Sequence, residues 1–183
     1  MPEQTDQALI RSTLRGEVQA YGELVERYQR SVYNVCYRMM RERQGAEDMS
    51  QEAFVRAFER LNSFDLERPF GPWIRKVATN VCLNRLTRGG PPNVPLDDEF
   101  DTPLSARWGD PEGEQQRAER VEAVRQAVWA LPPHYRAVIE LRHFQGLTYA
   151  EIGEVLGLPL SDVRSHLYRA RRMLAEILSE GMR

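Results

Sequence analysis

The 183-residue chain holds two cysteines and three histidines, and this scarcity closes off several kinds of chemistry. Cys36 and Cys82 each fall inside an apolar-periodic helical stretch, which reads as two buried free thiols rather than a disulfide or a redox pair. His134, His143 and His166 have no Cys or His at metal-ligand spacing, so neither a zinc site nor any other cofactor is expected. There is no apolar run of the ~18 or more residues needed to cross a bilayer. The opening MPEQTDQALIRS is polar, without the basic and apolar regions of a signal peptide, so the expected location is the cytoplasm with no membrane insertion. No Ser/His/Asp set or glycine-rich phosphate loop appears, which argues against an enzyme and against a small-molecule substrate. A strong net charge is missing too: the formal charge is −2, with 42% hydrophobic and 28% charged residues, ordinary for a soluble globular protein.

That near-neutral sum conceals an uneven distribution. Residues 1–88 carry 14 Lys+Arg against 12 Asp+Glu, residues 89–115 carry 1 against 7, and residues 116–183 carry 10 against 8. Two mildly basic ends are thus joined by a strongly acidic segment. Within it, GGPPNVPLDDEFDTPLSARWGDPEGE has five prolines, four glycines and no periodicity, which predicts a flexible linker between two domains.

The most informative stretch is TYAEIGEVLGLPLSDVRSHLYRARRM, residues 148–173. Thr148 followed by Glu151 predicts a capping box and a helix start, Gly157 a left-handed stop, and Pro159 a break. Ser161 is expected to cap a second helix. Val163, Leu167, Ala170 and Leu174 share one stripe of it at about 100° per residue, so Ser165, Tyr168, Arg169 and Arg172 point the other way, flanked by Arg164 and Arg171. Two short helices across so tight a turn make a helix-turn-helix. Residues 163–173 include four arginines and no acid. An arginine fork reads guanine in the major groove and also clamps phosphate, so this face is a candidate DNA reader.

Upstream, a first helix is expected from Thr5 to about Arg15, with Leu9, Ile10 and Leu14 inward. A long helix follows, whose seam Val18, Tyr21, Val25, Tyr28, Val32, Val35 and Met39 must pack on other helices. A third, from about Ala46 to Asn62, buries Ala53, Phe54, Ala57 and Leu61 and presents Asp48, Gln51 and Glu52 as one exposed polar edge, suited to docking. The loop SFDLERPFGP holds two aromatics, Phe64 and Phe70, which either anchor it to the core or offer a stacking surface. A fourth helix, from about Pro72 to Arg88, is expected to bury Trp73, Ile74, Val77, Val81 and Leu83. Arg75, Lys76, Asn80, Asn84, Arg85 and Arg88 would form a surface able to follow a nucleic-acid backbone. In the second domain Val121, Val124, Val128 and Leu131 form a stripe, Pro133 opens a helix carrying Val138, Ile139, Leu141 and Phe144, and Gly146 closes it.

The order DMSQEAF (48–54), PFGPWIRKVATN (69–80) and ALPPHYRAVIELRHFQGLTYAEIGEVLGLPLSDVRSHLYRARRML (130–174) resembles a bacterial RNA polymerase sigma factor of the extracytoplasmic-function (ECF) group, over nearly the whole chain. The resemblance implies an all-α fold of two small helical domains, residues 1–88 and 116–183. The first would bind the polymerase clamp and melt the −10 element, the second would recognise the −35 element and touch the polymerase flap, and the linker would pass near the active site. It further implies that Asp48, Gln51, Glu52 and Phe54 bind core polymerase, and that Arg56, Phe64, Phe70, Arg75, Lys76 and Asn80 serve the −10 region, where a non-template base leaves the stack. Arg164, Ser165, His166, Tyr168, Arg169 and Arg172 would meet −35 DNA. The partners implied are core RNA polymerase, promoter DNA and an anti-sigma factor. Asn84 stands where the family usually has an acid, and His166 where a second basic residue is common, so the promoter sequence does not carry over. Two other classes compete. A sigma mimic that only captures an anti-sigma factor would have an arginine-poor recognition helix, and an ordinary helix-turn-helix regulator would carry a dimer seam or ligand pocket in its first domain.

Overall fold

The computed structural model describes residues 4–88 and 111–180, and all regular structure among them is helical. The acidic linker expected at 89–115 lies outside the described residues as far as position 110. The elements are α1 (Asp6–Leu14), α2 (Val18–Met40), α3 (Arg43–Glu59), a 3₁₀ turn (Leu61–Ser63), α4 (Phe70–Arg88), α5 (Pro111–Ala130), α6 (Pro133–Ile139) continuing into a π turn (Glu140–Phe144), α7 (Tyr149–Leu156) and α8 (Leu160–Glu180).

Helices α2, α3 and α4 enclose the first core. Leu24, Val32, Val35, Met39, Ala53, Ala57 and Ile74 are fully shielded, and α1 closes one side with Leu9 and Ile10. Thr5 caps α1 by accepting the Ala8 N–H. The seam of α2 starts one turn later than its spacing predicts: Val18 and, at the end of α1, Leu14 are exposed, because Gly16 (φ +98°) turns the chain before either can reach the core. Cys36 and Cys82 are buried and free on α2 and α4.

Helices α5 to α8 build the second core from Val128, Leu131, Val138, Ile139, Leu141, Ile152, Val163, Leu167 and Ala170. The capping box forms as its spacing demands: Thr148 Oγ1 accepts the Glu151 N–H at 3.3 Å, and Glu151 accepts the Thr148 N–H at 2.8 Å. Gly157 ends α7 in the left-handed region at φ +66°. The start of α8 corrects the expectation for Ser161. The helix begins at Leu160, the Pro159 carbonyl accepts the Asp162 and Val163 N–H groups, and the Ser161 hydroxyl donates to Asp162 instead of capping. On α5, Val128 is buried, and Val121 and Val124 are exposed among the described residues.

A tight approach shapes the helix-turn-helix. A Cβ added at Gly153 would lie 2.7 Å from the Leu158 carbonyl oxygen, which is backbone and cannot swing aside. The Leu158 N–H donates to the Gly153 carbonyl at 2.9 Å, so the turn folds directly onto this residue. Gly153→Ala is therefore expected to lower stability by roughly 1–3 kcal/mol, the usual penalty of overpacking, despite alanine's higher helix propensity. Thermal denaturation followed by circular dichroism reads it; a melting point at or above that of the parent would show the turn has room.

The two domains are packed together. Arg38 on α2 makes a bidentate pair with Glu140, Nε to Oε2 at 2.7 Å and Nη2 to Oε1 at 2.9 Å, and Glu140 is 2% exposed. Arg136 is buried and donates to the Trp129 carbonyl (2.9 Å), the Leu131 carbonyl (3.0 Å) and the Met39 carbonyl of the first domain. Burial pushes its pKa down to about 10, with the charge of Arg41 adding to the effect, yet it stays charged at neutral pH. Trp129 leaves its own domain's core and sets its ring edge-on to Tyr37 at 5.5 Å.

Candidate nucleic-acid interface

One candidate surface is the outer face of α8. Val163, Leu167 and Ala170 turn inward, which leaves Arg164, Ser165, Tyr168, Arg169, Arg171 and Arg172 exposed, Tyr168 at 67%. Arg172 pairs with Glu176 one turn on, and Arg171 reaches the Tyr149 hydroxyl at 3.5 Å. The guanidiniums of Arg164 and Arg169 are therefore the best placed to face a ligand. His166 differs from its neighbours. Its ring sits partly buried, 5.5 Å from Tyr135 and 6.4 Å from His134, and its Nδ1 is shielded with no hydrogen-bond partner among the described residues.

A second candidate surface is a cleft of about 920 Å³ between α4 and α7. Arg56, Arg60, Arg68, Trp73, Lys76, Asn80 and Asn84 line its first-domain side, and Glu151, Glu154 and Val155 close it from α7. The Asn80 side-chain N–H donates to the Val155 carbonyl at 3.0 Å. The Thr148 backbone N–H holds the Glu151 carboxyl below the usual carboxylate range, and Lys76 and Arg68 add to the shift. Arg75 is absent from this cleft. One helical step round α4, its charge acts instead on Tyr28, whose hydroxyl donates to Asp6.

The packing of Phe64 and Phe70 favours the first of the two readings, an anchor to the core. Phe70 is fully buried and Phe64 is 9% exposed. The Phe64 ring lies 4.8 Å from Trp73, and Phe70 lies 5.5 Å from Trp73 and 5.4 Å from Tyr28. Three mutually tilted rings around an apolar contact make a loop anchor, so neither phenylalanine presents a face on which a base could stack. Trp73, half-buried at the cleft, is the aromatic left within reach.

The polar edge of α3 is on the surface, with Asp48 and Gln51 exposed and Glu52 partly so. Asp48 accepts from Gln44, and Glu52 accepts from Arg56 at 2.7 Å. Phe54 is buried, its carbonyl accepting the Tyr21 hydroxyl at 2.6 Å. Beside this edge runs a groove of about 750 Å³ between α2 and α3, lined by Val25, Tyr33, Gln51 and Val55 among others. The sequence did not reveal this groove. Its apolar members come from two helices and join only when these pack.

All regular structure among the described residues is helical, with a cation-lined cleft beside α4 and an arginine-faced helix-turn-helix, so the chain has the architecture of a helix-turn-helix protein. Residues 24–90 match the family "Sigma-70 region 2" and residues 121–174 match "Sigma-70, region 4". The chain is 34% identical to the ECF RNA polymerase sigma factor SigW of Bacillus subtilis, over 93% of this chain and 95% of that one. It is 35% identical to the ECF RNA polymerase sigma-E factor of Haemophilus influenzae, over 93% of each. Among solved structures, CnrH in complex with the cytosolic domain of CnrY is similar with a TM-score of 0.62 at 24% identity, covering 96% of this chain and 97% of that one. RpoE from Bartonella quintana, solved with the anti-sigma factor NepR, is similar with a TM-score of 0.63 at 17% identity, covering 87% and 96%. The chain belongs to the sigma-70 family, in its extracytoplasmic-function group.

Proposed function

We propose that the chain joins core RNA polymerase through the α3 edge and its groove, opens −10 DNA with the α4 cleft, and reads −35 DNA with the outer face of α8. The single observation that carries this reading is the α8 face, where exposed arginines stand with no acid among them while the apolar stripe is fully used in the core. Such a face has no structural task left in the fold, and it matches the width and chemistry of the major groove. The α4 cleft adds cations for the phosphates, the Asn80 amide for a base edge, and Trp73 as the one aromatic wall. Stacking and pairing there offset the few kcal/mol that unstacking a base costs. The chain itself performs no chemistry; it positions the polymerase. Its place of action is the cytoplasm, no helix among the described residues is long and apolar enough to cross a membrane, and an anti-sigma factor is the expected protein antagonist.

The polymerase contact is tested by reversing charge on the α3 edge. Asp48→Lys with Glu52→Lys turns acceptors into donors facing a basic partner, so core binding is expected to weaken by about 2 kcal/mol or more, upwards of about thirtyfold. Both positions are on the surface, so the melting point should hold. Co-purification at parental yield would show that the edge is only a solvated helix face.

A further inference from the structure

Of the six α8 side chains read above as −35 contacts, His166 alone turns away from the outer face; the other five are exposed. At about 100° per residue it lies on one flank of the buried stripe of Val163, Leu167 and Ala170, between that stripe and Arg169. Its ring meets the Tyr135 ring of α6 edge-on, with centroids 5.5 Å apart at 76°, and the His134 ring lies at 6.4 Å. Its Nδ1 is shielded and has no hydrogen-bond partner among the described residues. A nitrogen so enclosed is closed to a base edge as it is to water.

The opposite flank of α8 carries a matching contact. Arg171, on the other side of the stripe, reaches the Tyr149 hydroxyl of α7 at 3.5 Å, and the Tyr149 ring lies under the Arg142 guanidinium at 5.4 Å. Tyr135 and Tyr149 both pack on the second core, so each is a wall held by other elements. The apolar stripe by itself leaves α8 a small roll about its own axis, because apolar burial has no direction. Contacts on both flanks remove that freedom. A helix with its side chains has a radius of about 5–6 Å, so a roll of about 20° carries a side-chain tip about 2 Å, further than a directed hydrogen bond tolerates.

We propose that His166 is a positioning residue of the −35 reader: wedged against Tyr135, it sets the roll of α8, so aims Arg169 and Ser165, and makes no contact with DNA itself. The proposal rests on the assignment of the outer α8 face to −35 DNA. A wedge and a contact respond differently to substitution. Phenylalanine keeps a flat ring to set against Tyr135 but has no nitrogen to offer DNA, whereas alanine removes both.

The test is competition between scrambled DNA and a promoter recovered from the chain's own in vitro starts, for the full chain bound to core polymerase. His166→Ala is expected to lower the promoter-to-scrambled ratio about tenfold, and His166→Phe to keep it within about twofold of the parent. Tyr135→Ala, in a different helix, should reproduce the loss and Tyr135→Phe should not. The double alanine variant should lose no more than either single one, because the two rings act as one contact. Scrambled-DNA binding and its salt dependence should hold at the parental level throughout, since no phosphate contact is removed. All variants are measured well below their melting points, where a loss of stability alone leaves the ratio unmoved; if an alanine variant does not fold, His166→Phe decides alone. A ratio that falls as far in His166→Phe as in His166→Ala would make His166 a direct contact and overturn the proposal, as would a parental ratio in His166→Ala. Either result leaves the −35 assignment standing if Arg164→Ala with Arg169→Ala abolishes the ratio. A ratio that survives that pair removes the assignment and the proposal with it.

Discussion

Replacing Arg164 and Arg169 together with alanine is expected to abolish promoter selection while leaving the fold untouched. Each guanidinium is exposed on the outer face of α8, and residues 163–173 hold no acid. A bidentate arginine contributes roughly 1–3 kcal/mol of discrimination, so the pair should cost on the order of 2–6 kcal/mol, at least about thirtyfold in affinity for −35 DNA. Competition binding of the polymerase-bound chain to promoter and scrambled DNA checks it: specific binding should fall to the level of scrambled DNA. Arg172→Ala is expected to behave differently. Its guanidinium is engaged by Glu176 at 3.0 Å, so its loss should weaken binding to all sequences alike and flatten the salt dependence. Specific affinity unchanged in the double variant would move −35 recognition off this face.

The second large effect is expected at Trp129. Its side chain is 1% exposed, packs edge-on against Tyr37 of the other domain, and lies under the Arg125 guanidinium at 5.2 Å. Truncation to alanine empties a site lined by both domains, so Trp129→Ala should cost about 3–5 kcal/mol and lower the melting point by roughly 10 °C. Trp129→Phe separates packing from polarity. The indole N–H is buried without a hydrogen-bond partner among the described residues, and phenylalanine keeps a ring against Tyr37 while removing that stranded donor. It should lose less than half as much stability as alanine. Differential scanning calorimetry of the full chain compares the three. Equal losses for both variants would mean that the indole nitrogen is satisfied after all.

What was legible in the sequence was local. The capping box at Thr148, the stop at Gly157 and the stripe from Val163 to Ala170 depend on residues within a few positions of each other, and all formed as their spacing requires. The cap at Ser161 was misplaced by two residues: α8 begins at Leu160, so Pro159 takes the capping position and Ser161 already lies in the first turn. The two phenylalanines were ambiguous for a physical reason: an aromatic in a proline- and glycine-rich stretch reads the same whether its ring turns in or out, and only the packing of Phe64 on Trp73 and of Phe70 on Tyr28 and Trp73 decides it. The packing of one domain on the other was not legible at all. Arg38 and Glu140 are 102 residues apart, each reads alone as an ordinary exposed helix charge, and Arg136 in PPHYRAV gives no sign of being buried. Val121 and Val124 show the converse, a correct helical stripe whose first half stays exposed among the described residues. Arg75 was grouped with Lys76 by composition, whereas at about 100° per residue the two flank different sides of α4.

As a sigma factor, this chain is expected to direct core RNA polymerase to promoters. The most direct measurement is in vitro transcription by core polymerase on fragmented genomic DNA, with the chain present or absent and all 5′ ends mapped. A discrete set of starts is expected that appear only with the chain, share paired upstream elements at −35 and −10, and vanish with Arg164→Ala and Arg169→Ala. Starts that are equally frequent without the chain, or that share no upstream sequence, would contradict it.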